Sequence, residues 1–340
     1  MKKRFITYTA ATAIVLFCVA IPFIPKWPAE RFIQSRSFPM MGTAGRITVY
    51  SDREDLPEQA LNQAQDMIRK IEHACNIFDP ESELSRLNRT AFGKEFVCSP
   101  LLWEMIQAAD RCHRFSGGAY DPAILPLMKL WGFHRKRNRL PSETETRNAM
   151  CKVGWDKVKL NPEKRSVRFL AEGIGIDFGG IAKGFALEKA KSILRRNGVK
   201  HAILDLGGNI GCITSDQHAP FRIGIRDPES PAELLGSIEM RNHCVATSGN
   251  YERYVIIDGK QYAHIMDPRT GLPVSGVLSV TVVTPSGTDS DAFSTAIFVK
   301  GEKLAQEICR KIPDTGVLIV RPAPDDSSGR NIRRFGSLVK

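Results

Sequence analysis

Residues Gly173 to Ala190 read GIGIDFGGIAKGFALEKA, an apolar strand that runs into a helix through glycines. A junction of this kind exposes backbone amides at the helix start, where phosphate binds well, and Lys183 adds a positive charge beside it. The pattern is neither of the two familiar phosphate loops: Phe178 stands where GxGxxG needs glycine, and no GK[ST] occurs. A structural turn is an equal reading of these residues taken alone. Further on, HAILDLGGNIG carries Asp205 out of an apolar strand into Gly207 and Gly208. Such glycines either admit a ligand closely or form a tight turn whose Asp bonds its own backbone.

The 340 residues suffice for one large domain or two ordinary ones, and 42% hydrophobic with 25% charged residues is a globular composition. A net charge of +11 hints at anionic partners. The basic clusters HRKRNR (134 to 139) and RNIRR (330 to 334) read as a solvated loop and a tail, because no nucleic-acid motif or aromatic platform accompanies them. At the N-terminus, MKKR precedes an uncharged run from Phe5 to Pro25. As a helix this run covers about 30 Å, enough to span a bilayer. The positive start places residues 1 to 4 in the cytoplasm and exports the rest. An uncleaved anchor over residues 1–25 is expected rather than cleavage near Ala20 or lipidation at Cys18. The apolar run outlasts a signal core, and Phe17 is bulky where a lipoprotein signal needs a small residue. Seven cysteines remain in the body, an odd number without any CxxC, which argues against zinc and for buried single thiols.

A linker (26–37) leads to a strand at Gly45 to Ser51, then a helix whose apolar face runs from Ala60 to Cys75. Ser99 and Pro100 announce a second helix, which Gly117 and Gly118 stop. Leu140 to Ala171 reads as a connector with a short hairpin. Strands are expected at His201 to Leu206, Phe221 to Arg226, Tyr254 to Ile257, Val277 to Val283 and Gly316 to Val320. Helices are expected at Ala182 to Asn197, closed by Gly198, and over 291–299 and 302–311. Residues 321–340 form a polar tail that should be mobile. This mixture of hairpins and helices is α+β.

Three more stretches are candidates for chemistry. In TDSDAFSTAIF, Asp291 and Thr295 stand four apart on a helix, so their oxygens face one point, as a hard cation such as Mg2+ requires. Equally, Thr288 or Ser290 caps the helix and the acids complement its positive end. In GGAYDP, Ala119, Tyr120 and Asp121 form a corner where Tyr120 either stacks on a flat ring or plugs the core. In YAHIMDPRTG, His264 lies three residues before Asp267. It is a candidate general base or a satisfied structural histidine, and Asp267, Pro268 and Gly271 make a β-turn.

Standing in series, these stretches make the chain resemble the ApbE family, the FAD:protein FMN transferases, over residues 38–320. The matching segments are MGT (41–43), FDPESELSRLN (78–88), GAYDP (118–122), DFGGIAKG (177–184), LDLGGNI (204–210), SGNYERY (248–254), HIMDPRTG (264–271) and SDAFSTAIF (290–298). The resemblance implies a T-fold-like mixed α/β architecture of two packed subdomains behind an N-terminal membrane-anchor helix. It implies an exported Mg2+-dependent enzyme, facing the periplasm or exterior from the cytoplasmic membrane. That enzyme moves the FMN half of FAD to a threonine hydroxyl of an acceptor, a subunit of a membrane redox complex, and releases AMP. Met41, Phe78, Ala119, Tyr120, Asp121, Asp177 and Lys183 are implied as FAD contacts. The Gly180 carbonyl with Asp291 and Thr295 is implied as the metal set, with His264 beside the reacting phosphate. An FAD pyrophosphatase and a non-catalytic flavin-binding module are the alternatives. Gly180 often carries a side chain in the family, and the 134–139 loop and residues 321–340 match nothing in it.

Overall fold

The computed structural model describes residues 32–54, 56–135, 137–323 and 330–337. The expected anchor over 1–25 lies outside them, and among the described residues no helix is long and apolar enough to cross a membrane.

The chain opens with a hairpin, β1 (Phe32–Met40) and β2 (Thr43–Ser51). Residues 32–37, expected as linker, are therefore strand: Phe38 and Met40 alternate inward, and β2 needs a partner on that side. Helices α1 (Leu56–Cys75) and α2 (Glu83–Thr90) follow, the second capped by Ser82. After β3 (Phe96–Val97), α3 (Pro100–Ser116) starts at the expected Ser99 cap and stops at Gly117, whose φ is 62°. The stretch that reads as connector holds more structure than expected. It follows α4 (Leu125–Leu130) and contains α5 (Glu143–Met150), which a Ser142/Glu145 capping box starts. The hairpin β4 (Val158–Asn161) and β5 (Ser166–Phe169) then pairs with β3.

Next come α6 (Ala182–Arg196), β6 (His201–Leu206), β7 (Asn209–Thr214), β8 (Phe221–Arg226), β9 (Leu234–Met240) and β10 (Cys244–Gly249). Short strands β11 (Tyr254–Ile257), β12 (Lys260–Ala263), β13 (Met266–Asp267) and β14 (Leu272–Pro273) lead to β15 (Ser279–Thr284). The chain then forms α7 (Gly287–Lys300), α8 (Glu302–Lys311), β16 (Gly316–Pro322) and β17 (Arg330–Gly336). Ser286, rather than Thr288 or Ser290, caps α7, so the helix begins a turn earlier than its composition suggests. The expected mobile tail contains β17, the outer strand of the sheet. Ile332 and Phe335 pack on opposite cores while the arginines between them face outward.

One antiparallel sheet organises these parts, in the order β1-β2-β6-β7-β10-β15-β16-β17. One face carries the helices: Ile47, Leu204, Val282 and Ile319 pack with residues of α1, α3, α6, α7 and α8. The other face is covered by the β8–β9 hairpin, where Ile223, Ile238 and Met240 meet Cys212, Val245 and Val320. Strand β15 is buried at every position because both of its faces are covered. A smaller apolar cluster joins α4 and α5 to β13 through Leu127, Trp131, Ala149 and Met266. All seven cysteines outside the N-terminal run are free thiols; Cys98, Cys112, Cys212 and Cys244 are buried and Cys151 is exposed.

Candidate active site

Helix α6 lacks a capping side chain of its own, since its N-cap position is Ile181. The acceptor arrives from a distant part of the chain. Asp291 Oδ2, on α7, accepts a 2.8 Å hydrogen bond from the Gly184 amide. A buried carboxylate at that place complements the positive end of the helix. The acid thus serves the start of α6 rather than of its own helix, where Ser286 and Asp289 sit. Asp289 pairs instead with Arg111 at 3.2 Å. The other hydroxyls crowded into this stretch turn inward: Ser290 donates to the Gly287 carbonyl and Ser294 to the Asp291 carbonyl.

Gly180 faces the same corner. A Cβ on it would stand 3.1 Å from Thr295 Oγ1 and 3.4 Å from the Tyr120 ring. Thr295 Oγ1 lies 3.3 Å from the hydroxyl of Ser248 on β10. Tyr120 Oη is buried without a hydrogen-bond partner, and burial, followed by Cys112, Asp291 and Asp177, pushes its pKa well above the usual phenol value. A buried hydroxyl without an acceptor calls for one. Among the described residues no three His, Cys, Asp or Glu side chains gather as a metal cluster. The corner offers one carboxylate, one hydroxyl and one glycine peptide instead. Its hard oxygens and its orphaned phenol fit a hydrated hard cation and an anionic group beside it.

The other implied site residues surround this corner on turns. Asp177 Oδ1 accepts from the Gly179 amide at 2.7 Å, and Asn88 of α2 pins the preceding residue through both Ile176 backbone groups. Met41 takes a left-handed φ of 45° in the two-residue turn between β1 and β2, and its amide donates to Glu72 at 2.6 Å. That turn lies against the Gly207-Gly208 turn of β6–β7, where a Cβ on Gly207 would fall 2.4 Å from Thr43 Cγ2. Asp205 follows its tight-turn reading by accepting from the Gly208 amide at 2.8 Å. Asp121 spends both oxygens on backbone, accepting from the amides of Ala123 and Trp155, so it shapes the corner that holds Ala119 and Tyr120. Phe78 projects into solvent with 62% of its surface exposed.

Lys183, in the first turn of α6, is close enough to bear on Asp205, Glu252 and His264 alike. Burial raises the Glu252 pKa, and Lys183 opposes that rise. Burial and then Arg253 lower the His264 pKa from 6.5 to about 4. His264 Nδ1 lies 3.1 Å from the Arg253 carbonyl. A carbonyl only accepts, so Nδ1 carries the proton and the Nε2 lone pair stays free.

Sequence reasoning missed Ser248, Glu252 and His134. The first two lie inside SGNYERY, a segment marked as a motif without residue roles. His134 opens the basic loop, yet its Nε2 lies 3.5 Å from Asp177 Oδ2. Nor is that loop merely solvated, because Arg137 and Arg139 both pair with Glu145 of α5.

The chain as a whole is similar to known proteins. The model of the ApbE family matches residues 41–319. An FAD:protein FMN transferase of Treponema pallidum is 30% identical over 305 residues, covering 85% of this chain and 84% of the relative. One of Klebsiella pneumoniae is 30% identical over 296 residues, covering 86% and 90%. The crystal structure of the ApbE protein of Thermotoga maritima superposes with a TM-score of 0.81 at 30% identity, covering 89% of this chain and 97% of that one.

Proposed function

The chain belongs to the ApbE family, and from that premise we propose that it transfers the FMN half of FAD to a threonine hydroxyl of an acceptor protein, releasing AMP. The convergence of Asp291, Thr295 and Gly180 on the start of α6 carries this reading. These three groups would hold Mg2+, Asp291 through the carboxylate oxygen not given to Gly184, Thr295 through its hydroxyl and Gly180 through its carbonyl. Bound there, the cation would neutralise pyrophosphate charge and ease the departure of AMP.

The remaining work falls to the protein's own groups. The α6 amides and Lys183 bind the pyrophosphate oxygens. Met41, Phe78, Ala119, Tyr120 and Asp177 line the dinucleotide, with Asp121 holding their corner in shape. His264 Nε2 takes the threonine proton as the threonine oxygen bonds to the FMN phosphorus. The bond from that phosphorus to the bridging oxygen breaks, and AMP leaves with the electron pair. At about 4, the pKa of His264 keeps the imidazole neutral and ready to accept at neutral pH. FAD brings negative charge against Arg253 and Lys183, two of the groups that hold this pKa down, so binding strengthens the base.

The N-terminal residues support a location as well: MKKR followed by Phe5 to Pro25 would tether the domain to the outer face of the cytoplasmic membrane, near an acceptor in a redox complex.

The test is mass spectrometry of an acceptor protein after incubation with enzyme, FAD and Mg2+. A threonine bearing FMN, with AMP in equal amount, is expected, and Asp291→Ala should lower the rate by at least about a hundredfold. Normal transfer by that variant, or by wild-type enzyme in excess chelator, overturns the metal assignment. Free FMN at the same rate with or without acceptor identifies a pyrophosphatase instead.

A further inference from the structure

The loop that follows Trp131 is left unused by the reaction above, although it enters the site at two consecutive residues. Phe133 meets the His264 ring edge-on, with centroids 6.5 Å apart. His134 reaches Asp177 with Nε2 at 3.5 Å from Oδ2, and both side chains are nearly buried. The opposite carboxylate oxygen of Asp177 is occupied by the Gly179 amide, so the carboxylate is fixed and the imidazole is fixed against it.

The His134 ring also lies 5.0 Å from the ring of Phe78, tilted by 31°. Packing alone gives a poor account of this pair, because Phe78 keeps 62% of its surface in water. An aromatic side chain held so openly contributes little to a core. Its position is nevertheless set: the Phe78 amide donates to Asn76 Oδ1 at 3.0 Å, and the next turn is closed by Glu81 donating to Asp79 Oδ1 at 2.9 Å. The loop on the other side is braced as well, since Arg137 and Arg139 converge on Glu145, the capping residue of α5. Two rings on separately braced turns, Phe78 open to water and His134 nearly buried beside a fixed carboxylate, make a platform for a third flat ring.

We propose that His134 is an FAD-binding residue, forming with Phe78 an aromatic platform for one of the two planar rings of the dinucleotide, while Asp177 orients its imidazole. This rests on the FAD reading above. It assigns to the basic loop a task that its charges do not suggest: the arginines brace, and the histidine touches the substrate.

The test is equilibrium titration of wild-type protein and of His134→Ala, His134→Gln and His134→Phe with FAD, FMN and ADP, alongside steady-state transfer kinetics. Loss of one stacked ring should weaken FAD binding by about fivefold in the Ala and Gln variants. It should raise KM for FAD similarly and leave kcat within about twofold. His134→Phe should bind FAD within about twofold of wild type, because it keeps the stacking face. A matching loss for FMN places the flavin on the platform, and one for ADP places the adenine there; either supports the proposal. Wild-type affinity in the Ala and Gln variants overturns it, while an absence of FAD binding by wild-type protein overturns the functional reading with it. Should the Ala variant fail to fold, Gln and Phe variants binding FAD equally well overturns the proposal.

Discussion

Replacing Gly184 with alanine should cost the protein stability and turnover together, because this position lets α6 and α7 touch. A Cβ there would fall 2.1 Å from the Gly287 carbonyl oxygen and 2.5 Å from the Asp291 Cβ. Both neighbours belong to a helix buried along most of its length, so no flexible side chain can swing aside. Ordinary van der Waals contact begins near 3.4 Å, so the helices must part by about 1 Å. Overpacking of this kind costs about 1–3 kcal/mol. The same movement stretches the 2.8 Å bond from the Gly184 amide to Asp291, a charge-assisted contact whose loss adds roughly 1.5 kcal/mol or more. The sum, about 3 kcal/mol, should appear in urea unfolding as a lower midpoint with an unchanged slope. Since Asp291 moves relative to Gly180, transfer should fall by roughly a hundredfold, the usual effect of a 1 Å misplacement. Gly93→Ala is the control, since its nearest neighbour would be the Thr90 carbonyl at 4.0 Å. A Gly184→Ala variant as stable and as active as Gly93→Ala refutes the reasoning.

Three more outcomes follow from His264 and Lys191. His264 should give kcat/KM a low-pH limb with a midpoint near 4, and kcat a limb at higher pH because bound FAD offsets the positive field; coincident limbs would contradict this. Its pKa is lowered on folding, so its contribution to stability is complete above about 6.5, the unfolded value, and is lost as pH falls toward 4. Urea midpoints of wild type and His264→Gln should converge over that window. Lys191 is fully buried, with Nζ donating to Cys244 Sγ at 2.9 Å and to the Asn242 carbonyl at 3.3 Å. Lys191→Met should leave stability unchanged or raise it by about 1 kcal/mol, because a buried ammonium is replaced by an apolar chain of similar length. A loss above about 2 kcal/mol in urea unfolding would contradict that.

The parts of the fold legible in sequence are those with local causes. Ser99, Pro100 and Gly117 bound α3 because a cap, a fixed φ and a left-handed residue act within one turn. Strands β6, β8 and β11 begin and end as their apolar runs do. Two of the failures have causes that no local window contains. β1 and β17 are strands because the outer edges of β2 and β16 require partners, although Arg330 to Gly336 is mostly polar. The α7 cap falls on Ser286, whose hydroxyl accepts from the Asp289 amide at 3.2 Å, a local signal that lies upstream of the hydroxyl-rich run itself. In the connector, the Ser142/Glu145 capping box is a local signal that marks the start of α5.

For the site, the same distinction decides which contacts are legible in the sequence. Asp291 and Thr295 are four apart on one helix, so their common direction is visible in the chain itself. Their meeting with Gly180 is not, since it depends on Gly184 and Gly287 allowing two helices to approach within backbone contact. A capping need and the proposed metal-holding role coincide here. α6 begins without a cap, and the carboxylate that supplies one sits beside the Thr295 hydroxyl, the Gly180 peptide and an unpartnered phenol. Only one oxygen of Asp291 is spent on the helix. The acid is therefore held rigidly by its structural bond while its second oxygen stays open to the corner, which is why neither the bland nor the chemical reading of TDSDAFSTAIF excludes the other. Asp291→Asn separates them: an amide oxygen can still cap Gly184 and preserve stability, whereas the lost charge should still abolish Mg2+-supported transfer.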